Sequence, residues 1–232
     1  IVEPLLMYYN EAKHCSERFE QYTSRNLRIG LPLERSTIIM HVKDICLEFK
    51  KQHPELEVEI VEQEMVLNKQ ALLEEKLDIG VCFSQEDDAE QLNTIPIFVR
   101  EHVLMMSIDN PLSQKEYLTF DDIRNETFLI SKSFTFAHRF LVEEVGIPTD
   151  HCIIYSERDG LFEHLITQNK VVFFRARESG FYPLYENCVL VPFNPPVCAN
   201  IAFLYLKNTV PKKSLLNFIE YFNSEFKADD ML

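Results

Sequence analysis

Apolar residues recur along this chain with two alternating periods. Over residues 1 to about 24, Val2, Leu5, Leu6, Tyr9, Ala12, Phe19 and Tyr22 fall at helical spacings between Glu3, Glu11, Lys13, Glu17 and Glu20. This predicts an amphipathic helix with Pro4 in its first turn. Leu27-Arg28-Ile29-Gly30-Leu31 then reads as a short buried strand. Ile38, Ile39, Val42, Ile45, Cys46 and Phe49 line one face of a helix running from about Ser36 or Thr37 to Lys51, which His53-Pro54 breaks. The strict alternation from Leu56 to Glu62 predicts a strand with one wet face. A further helix, about Val66 to Glu75, and a buried strand from Leu77 to Phe83 complete a β-α-β-α-β series. Parallel strands joined by helical crossovers imply an open α/β sheet.

From Asn93 the texture changes to two extended runs, Thr94 to Val99 and His102 to Ile108, separated by Arg100-Glu101. A second αβ series follows. Its strands are Thr127 to Ser131, Cys152 to Ser156, Val171 to Phe174 and Cys188 to Pro192, and its helices Ala137 to Val145 and Gly160 to Gln168. An extended run from Asn200 to Lys207 leads to a last helix, Pro211 to Phe226. Two α/β lobes joined by extended crossovers fit this order better than one long sheet.

Composition narrows the function classes. The 232 residues carry 23 basic and 37 acidic side chains, a formal charge of −14, and 46% are apolar. That is a chain with ample core whose surface repels phosphate backbones, a poor grip for nucleic acid by itself. No apolar run approaches the roughly 18 to 20 residues that cross a bilayer, and the first residues lack the grammar of a signal peptide, so no membrane partner and a cytoplasmic location are expected. The six cysteines, Cys15, Cys46, Cys82, Cys152, Cys188 and Cys198, are scattered singly. They read as reduced thiols, with a thiol sensor as the alternative and no zinc spacing. No nucleophile elbow, metalloprotease, dinucleotide or phosphate-loop motif occurs, and the seven histidines lack metal-ligand spacing, so neither catalytic residues nor a cofactor or metal is expected.

Leu27-Arg28-Ile29-Gly30, the helix closing on Phe49 to Pro54, the strand Leu56 to Ile60 and then Leu77-Asp78-Ile79-Gly80-Val81 stand in a distinctive order. With Pro96-Ile97, Asn110-Pro111-Leu112, Ile130-Ser131 and the last helix, the set resembles the effector-binding domain of LysR-type transcriptional regulators over about residues 1 to 226. The resemblance implies two Rossmann-like lobes joined by a hinge, similar to type 2 periplasmic binding proteins. Residues 1–24 would end a linker helix, residues 27–98 plus 202–232 would form lobe one, and residues 99–201 lobe two. It also implies a small-molecule effector held in an interlobe cleft, a homodimer, and a tetramer in the intact regulator. DNA would be met only through an amino-terminal domain absent from this chain. A transporter's solute-binding protein shares the fold and is the alternative reading.

Ligands of open α/β sheets sit beyond the carboxyl ends of the strands, near helix amino termini. Those positions select Arg35, Ser36 and Thr37 after the first strand, Gln63 after the second and Ser84 after the third. In lobe two they select Ser131, Lys132, Ser133, Thr135 and Phe136, where hydroxyls, a cation and a ring suit a small organic anion. The resemblance supports Ser84 and Thr135 in particular. Ser36 and Thr37 read equally as helix caps alone or as caps that also contact ligand. Lys132 reads either as a solvated amine or as a counter-ion, and one of Phe134 and Phe136 as core. Glu34 and Arg35 stand where many relatives have a Ser/Thr-rich turn. Arg175 and Arg177 are expected to form surface pairs with Glu178 rather than line the site. Ser131 to Val145 contains no cysteine, which sets this chain apart from peroxide-responsive relatives.

Overall fold

The computed structural model describes residues 13, 15–16, 19, 24–34, 36–131, 135–155, 160–178, 184–207 and 209–227. The helix expected over residues 1–24 lies almost wholly outside the described residues. In chain order the elements are β1 (Asn26–Pro32), α1 (Thr37–Gln52), β2 (Glu57–Gln63), α2 (Met65–Leu73), β3 (Ile79–Ser84) and β4 (Leu92–Ser107). There follow β5 (Phe128–Ser131), α3 (Thr135–Arg139), β6 (Cys152–Tyr155), α4 (Gly160–Thr167), β7 (Val172–Ala176), β8 (Cys188–Leu206) and α5 (Lys213–Glu225). The chain divides into a first unit of residues 1–33, 38–95 and 202–232 and a second of residues 34–37 and 96–201.

In the first unit β1 runs parallel to β2, in register from Asn26 opposite Glu57 to Pro32 opposite Gln63, and parallel to β3, with Ile29 opposite Ile79. Leu27, Ile29 and Leu31 of β1 are at most 1% exposed, as a strand flanked on both sides requires. Helices cover both faces. On one, Phe49 of α1 meets Phe218 of α5 edge-on at 5.2 Å, and Phe203 of β8 lies 5.6 Å from Phe218 and 4.9 Å from Phe222. On the other, Leu72 of α2 joins Leu77, Cys82, Leu92, Ala202 and Leu204. Gly30 is dictated by this packing: a Cβ there would come within 2.5 Å of the Asn68 Oδ1 and collide with Leu77. Asn68 is itself fully buried and donates to the Val81 carbonyl at 2.9 Å.

In the second unit β5 runs parallel to both β6 and β7, and β7 antiparallel to β4. Alternation along the strands separates two apolar layers. Leu104, Met106, Phe128, Ile130 and Phe174 join Phe140 and Phe193 on one face, while Met105, Leu129 and Phe173 join Ile166 of α4 on the other. Beyond α3 the helix widens into a single π turn, Phe140–Glu144.

The hydrogen-bonded strand order is β2-β1-β3-β8-β4-β7-β5-β6, one ladder of eight strands. This corrects the expectation of separate sheets. The runs expected as Thr94 to Val99 and His102 to Ile108 are one strand, and so are Cys188 to Pro192 and Asn200 to Lys207. Both long strands contribute residues to each unit. Arg100-Glu101, read as a break because two charges interrupt an apolar run, lies inside β4. Each charge is neutralised: Arg100 pairs with Glu34, and Glu101 with Arg177.

Candidate functional site

In the first unit the carboxyl ends of three parallel strands lie on one edge: Pro32 of β1, Gln63 of β2 and Ser84 of β3. Gln63 is half-buried, and its carbonyl accepts the Leu33 N–H at 3.2 Å, tying the loop after β1 to the end of β2. Ser84 is half-buried ahead of a short turn in which the Gln85 N–H donates to Asp88 at 2.9 Å. Asp88 is buried and pairs with Lys69 of α2. Hydroxyl and amide candidates thus sit on loops anchored from both sides.

The second unit takes in residues 34–37 together with 96–201. Ser36 is 8% exposed, and its hydroxyl makes no hydrogen bond among the described residues. It therefore does not cap α1 with its side chain, which corrects the capping common to both readings of Ser36. Thr37, the first residue of α1, is exposed. Glu34 is held by Arg100 through two hydrogen bonds of 2.6 Å. His102, two positions along β4, is fully buried; its ring lies 5.2 Å from that of Phe174 and 4.8 Å from that of Phe136. Burial, and then the charge of Arg100, push the His102 pKa down to about 3, so the ring is neutral at physiological pH. Phe136 is half-buried and belongs to the apolar layer as much as to any site, as one of the paired phenylalanines was expected to.

Ser131 closes β5 opposite Tyr155 of β6, and Thr135 opens α3, so both lie where strand ends and a helix start meet. Arg35, Lys132 and Ser133 lie outside the described residues. Arg175 departs from its expected surface pair with Glu178. It is 4% exposed and donates to the Ala176 carbonyl at 3.1 Å and towards the Met105 sulfur at 3.7 Å, because β7 is buried on both faces. Arg177 does pair at the surface, but with both oxygens of Glu101, at 2.7 and 2.8 Å.

Sequence reasoning missed Arg100, His102 and the paired Glu34. The available signal was their spacing: Arg100 and His102 are two apart in an apolar run, hence on one face of a strand. Among the described residues no group of His, Cys, Asp or Glu could hold a metal ion, and no helix is long and apolar enough to cross a membrane.

Comparison with known proteins decides the family. The family model described as the LysR substrate binding domain matches residues 20–227. The chain belongs to that family. No curated protein matches it in sequence. Among solved structures, this LysR substrate binding domain is similar to the effector-binding domain of QuiR in complex with shikimate, at 17% identity and TM-score 0.61, covering 86% of this chain and 95% of that one. It is similar to the BenM effector-binding domain with benzoate, at 15% identity and TM-score 0.63 over 90% and 96%. It is also similar to the regulatory domain of CcmR from Synechocystis PCC6803 in complex with 2-PG, at 14% identity and TM-score 0.62 over 87% and 97%. At these identities the likeness establishes the mixed α/β fold of the type 2 periplasmic-binding-protein kind. Family membership disfavours the transporter reading. The thiol-sensor reading is disfavoured too: Cys46, Cys82 and Cys188 are buried, and burial pushes all three thiols up.

Proposed function

We propose that this domain senses a small organic anion for a LysR-type regulator, at the loops beyond the carboxyl ends of its parallel strands. The observation that carries the reading is Ser36, a buried hydroxyl with no partner among the described residues at the amino end of a 16-residue helix. Unsatisfied N–H groups and the helix dipole favour a negative group there. Benzoate and shikimate, each named with one of the similar structures, are carboxylates. In this reading Arg35, Ser36, Thr37, Gln63 and Ser84 act with Ser131, Lys132, Ser133 and Thr135 as polar contacts, while Phe136 covers the apolar part of the ligand. The effector shifts the protein between states only by the difference in its affinity for them. The domain acts as a cytoplasmic homodimer, a tetramer in the intact regulator. It performs no catalysis and leaves DNA contact to a separate domain.

A thermal-shift screen over small carboxylates, amino acids and sugar phosphates tests this. At about a hundredfold excess over Kd a true effector stabilises the native state by about 2.7 kcal/mol. Ser36→Ala and Thr135→Ala are expected to abolish the shift. Ser36→Ala leaves the unliganded melting temperature equal or slightly higher, because it removes a buried hydroxyl that has no partner. Stabilisation by neutral compounds alone, with no response to any anion, overturns the reading.

A further inference from the structure

The loop after β1 is fastened by an ion pair built like a ligand contact. Arg100 Nη1 donates to one carboxylate oxygen of Glu34 and Nη2 to the other, each at 2.6 Å. The arginine side chain is 8% exposed and the glutamate side chain 13%. The Phe98 ring centroid lies 5.0 Å from the guanidinium carbon. Two residues beyond Glu34 stands Ser36, buried with its hydroxyl unpartnered among the described residues, and two residues beyond Arg100 stands the buried ring of His102. The fork-to-fork geometry is the one by which arginine recognises a planar carboxylate. It is an inefficient way to secure a loop, because removing both charges from water offsets most of their attraction.

We propose that Glu34 is a resident stand-in for the effector: its carboxylate occupies Arg100 while the site is empty, and a small carboxylate ligand exchanges with it and releases the Glu34 loop. The inference rests on the anion-sensing reading and deepens it, making the substrate class a carboxylate and the regulation a competition within the chain. The exchange conserves charge. One carboxylate leaves the guanidinium and another replaces it, so the buried cation stays compensated, whereas simple loss of Glu34 would leave it bare. Because the occupant is tethered, the apparent affinity equals the intrinsic one reduced by the fraction of molecules in which Arg100 is open.

The test is calorimetric titration of benzoate, acetate and sulfate, at constant ionic strength, into the wild-type domain, Glu34→Gln and the double variant Glu34→Gln/Arg100→Gln. Glu34→Gln is expected to bind at least one of the two carboxylates about tenfold tighter than wild type, and sulfate with a smaller gain. The gain is expected to vanish in the double variant. Should Glu34→Gln fail to fold, Glu34→Asp keeps the charge but loosens the two-point grip, and it too is expected to bind the carboxylate more tightly than wild type. Carboxylate binding that is indifferent to position 34, or a gain that survives removal of Arg100, overturns this inference and leaves the sensor reading standing. Failure of every variant to bind either carboxylate overturns this inference, whereas the sensor reading falls only if the wider screen finds no stabilising anion.

Discussion

His102 shows how one side chain in this fold links packing to pH. Enclosed by Phe174 and Phe136 and close to the Arg100 charge, it keeps its neutral form down to about pH 3 in the native state, whereas in the unfolded chain it titrates near 6.5. Between those values the unfolded state binds the extra proton, so stability is complete above about pH 6.5 and falls as the solution is acidified. At about pH 4.5 the loss from this residue is on the order of 3 kcal/mol. Melting temperatures of wild type and His102→Gln at neutral pH and at about pH 4.5 are expected to show the smaller acid-induced drop in the variant. Equal drops would mean the ring titrates normally. Ser36 illustrates the complementary point. Its place before a helix was readable, but whether its hydroxyl caps or stands free depends on the loop between Leu33 and Thr37, and that loop is set by a residue 66 positions away.

Elements are joined by a few charges placed where apolar patterning says nothing. Asp78, just before β3, accepts the Arg28 backbone N–H at 2.8 Å, the Arg28 guanidinium at 3.0 Å and the Lys212 amine at 2.9 Å. It thereby fastens β1, β3 and the start of α5. Burial raises its pKa, but the hydrogen bonds from Arg28 and Lys212 outweigh that, and the net shift is downward. Asp78→Asn leaves two cations without their shared carboxylate and is expected to lower stability by about 1–3 kcal/mol, read as a lower urea midpoint at unchanged slope. A loss of under about half a kcal/mol would place the pair among ordinary surface ion pairs. The elements this charge joins were legible. Alternation from Leu56 to Glu62 fixed β2, and the helical face from Ile39 to Phe49 fixed α1. What misled was charge inside a strand, since Arg100-Glu101 reads as a break unless their distant partners are known. Lys43, buried on α1 against Glu62 at 2.7 Å, was hidden for the same reason. Pair partners far apart in sequence leave no periodic trace.

At the scale of the whole molecule, the remaining apolar surface argues for a second copy of the chain. Met40 and Leu47 of α1 are 40% and 55% exposed, and Ile153 and Ile154 of β6 are 43% and 61% exposed. β2 and β6 are the two terminal strands of the ladder, the positions where unpaired backbone and bare apolar side chains most need covering. A two-fold dimer covers such patches twice over with one contact type, which suits the homodimer proposed above. A formal charge of −14 opposes self-association, so the proposed contact is expected to rest on apolar residues such as these and to tighten as salt screens the repulsion. Sedimentation velocity at micromolar concentration is therefore expected to show dimers, more of them at higher salt. Leu47→Lys and Ile154→Lys, both at exposed positions, should shift the distribution towards monomers while leaving the circular dichroism spectrum unchanged. Monomers alone for the wild type at every salt concentration would sink the dimer. Dimers indifferent to both substitutions would move the interface elsewhere on the surface.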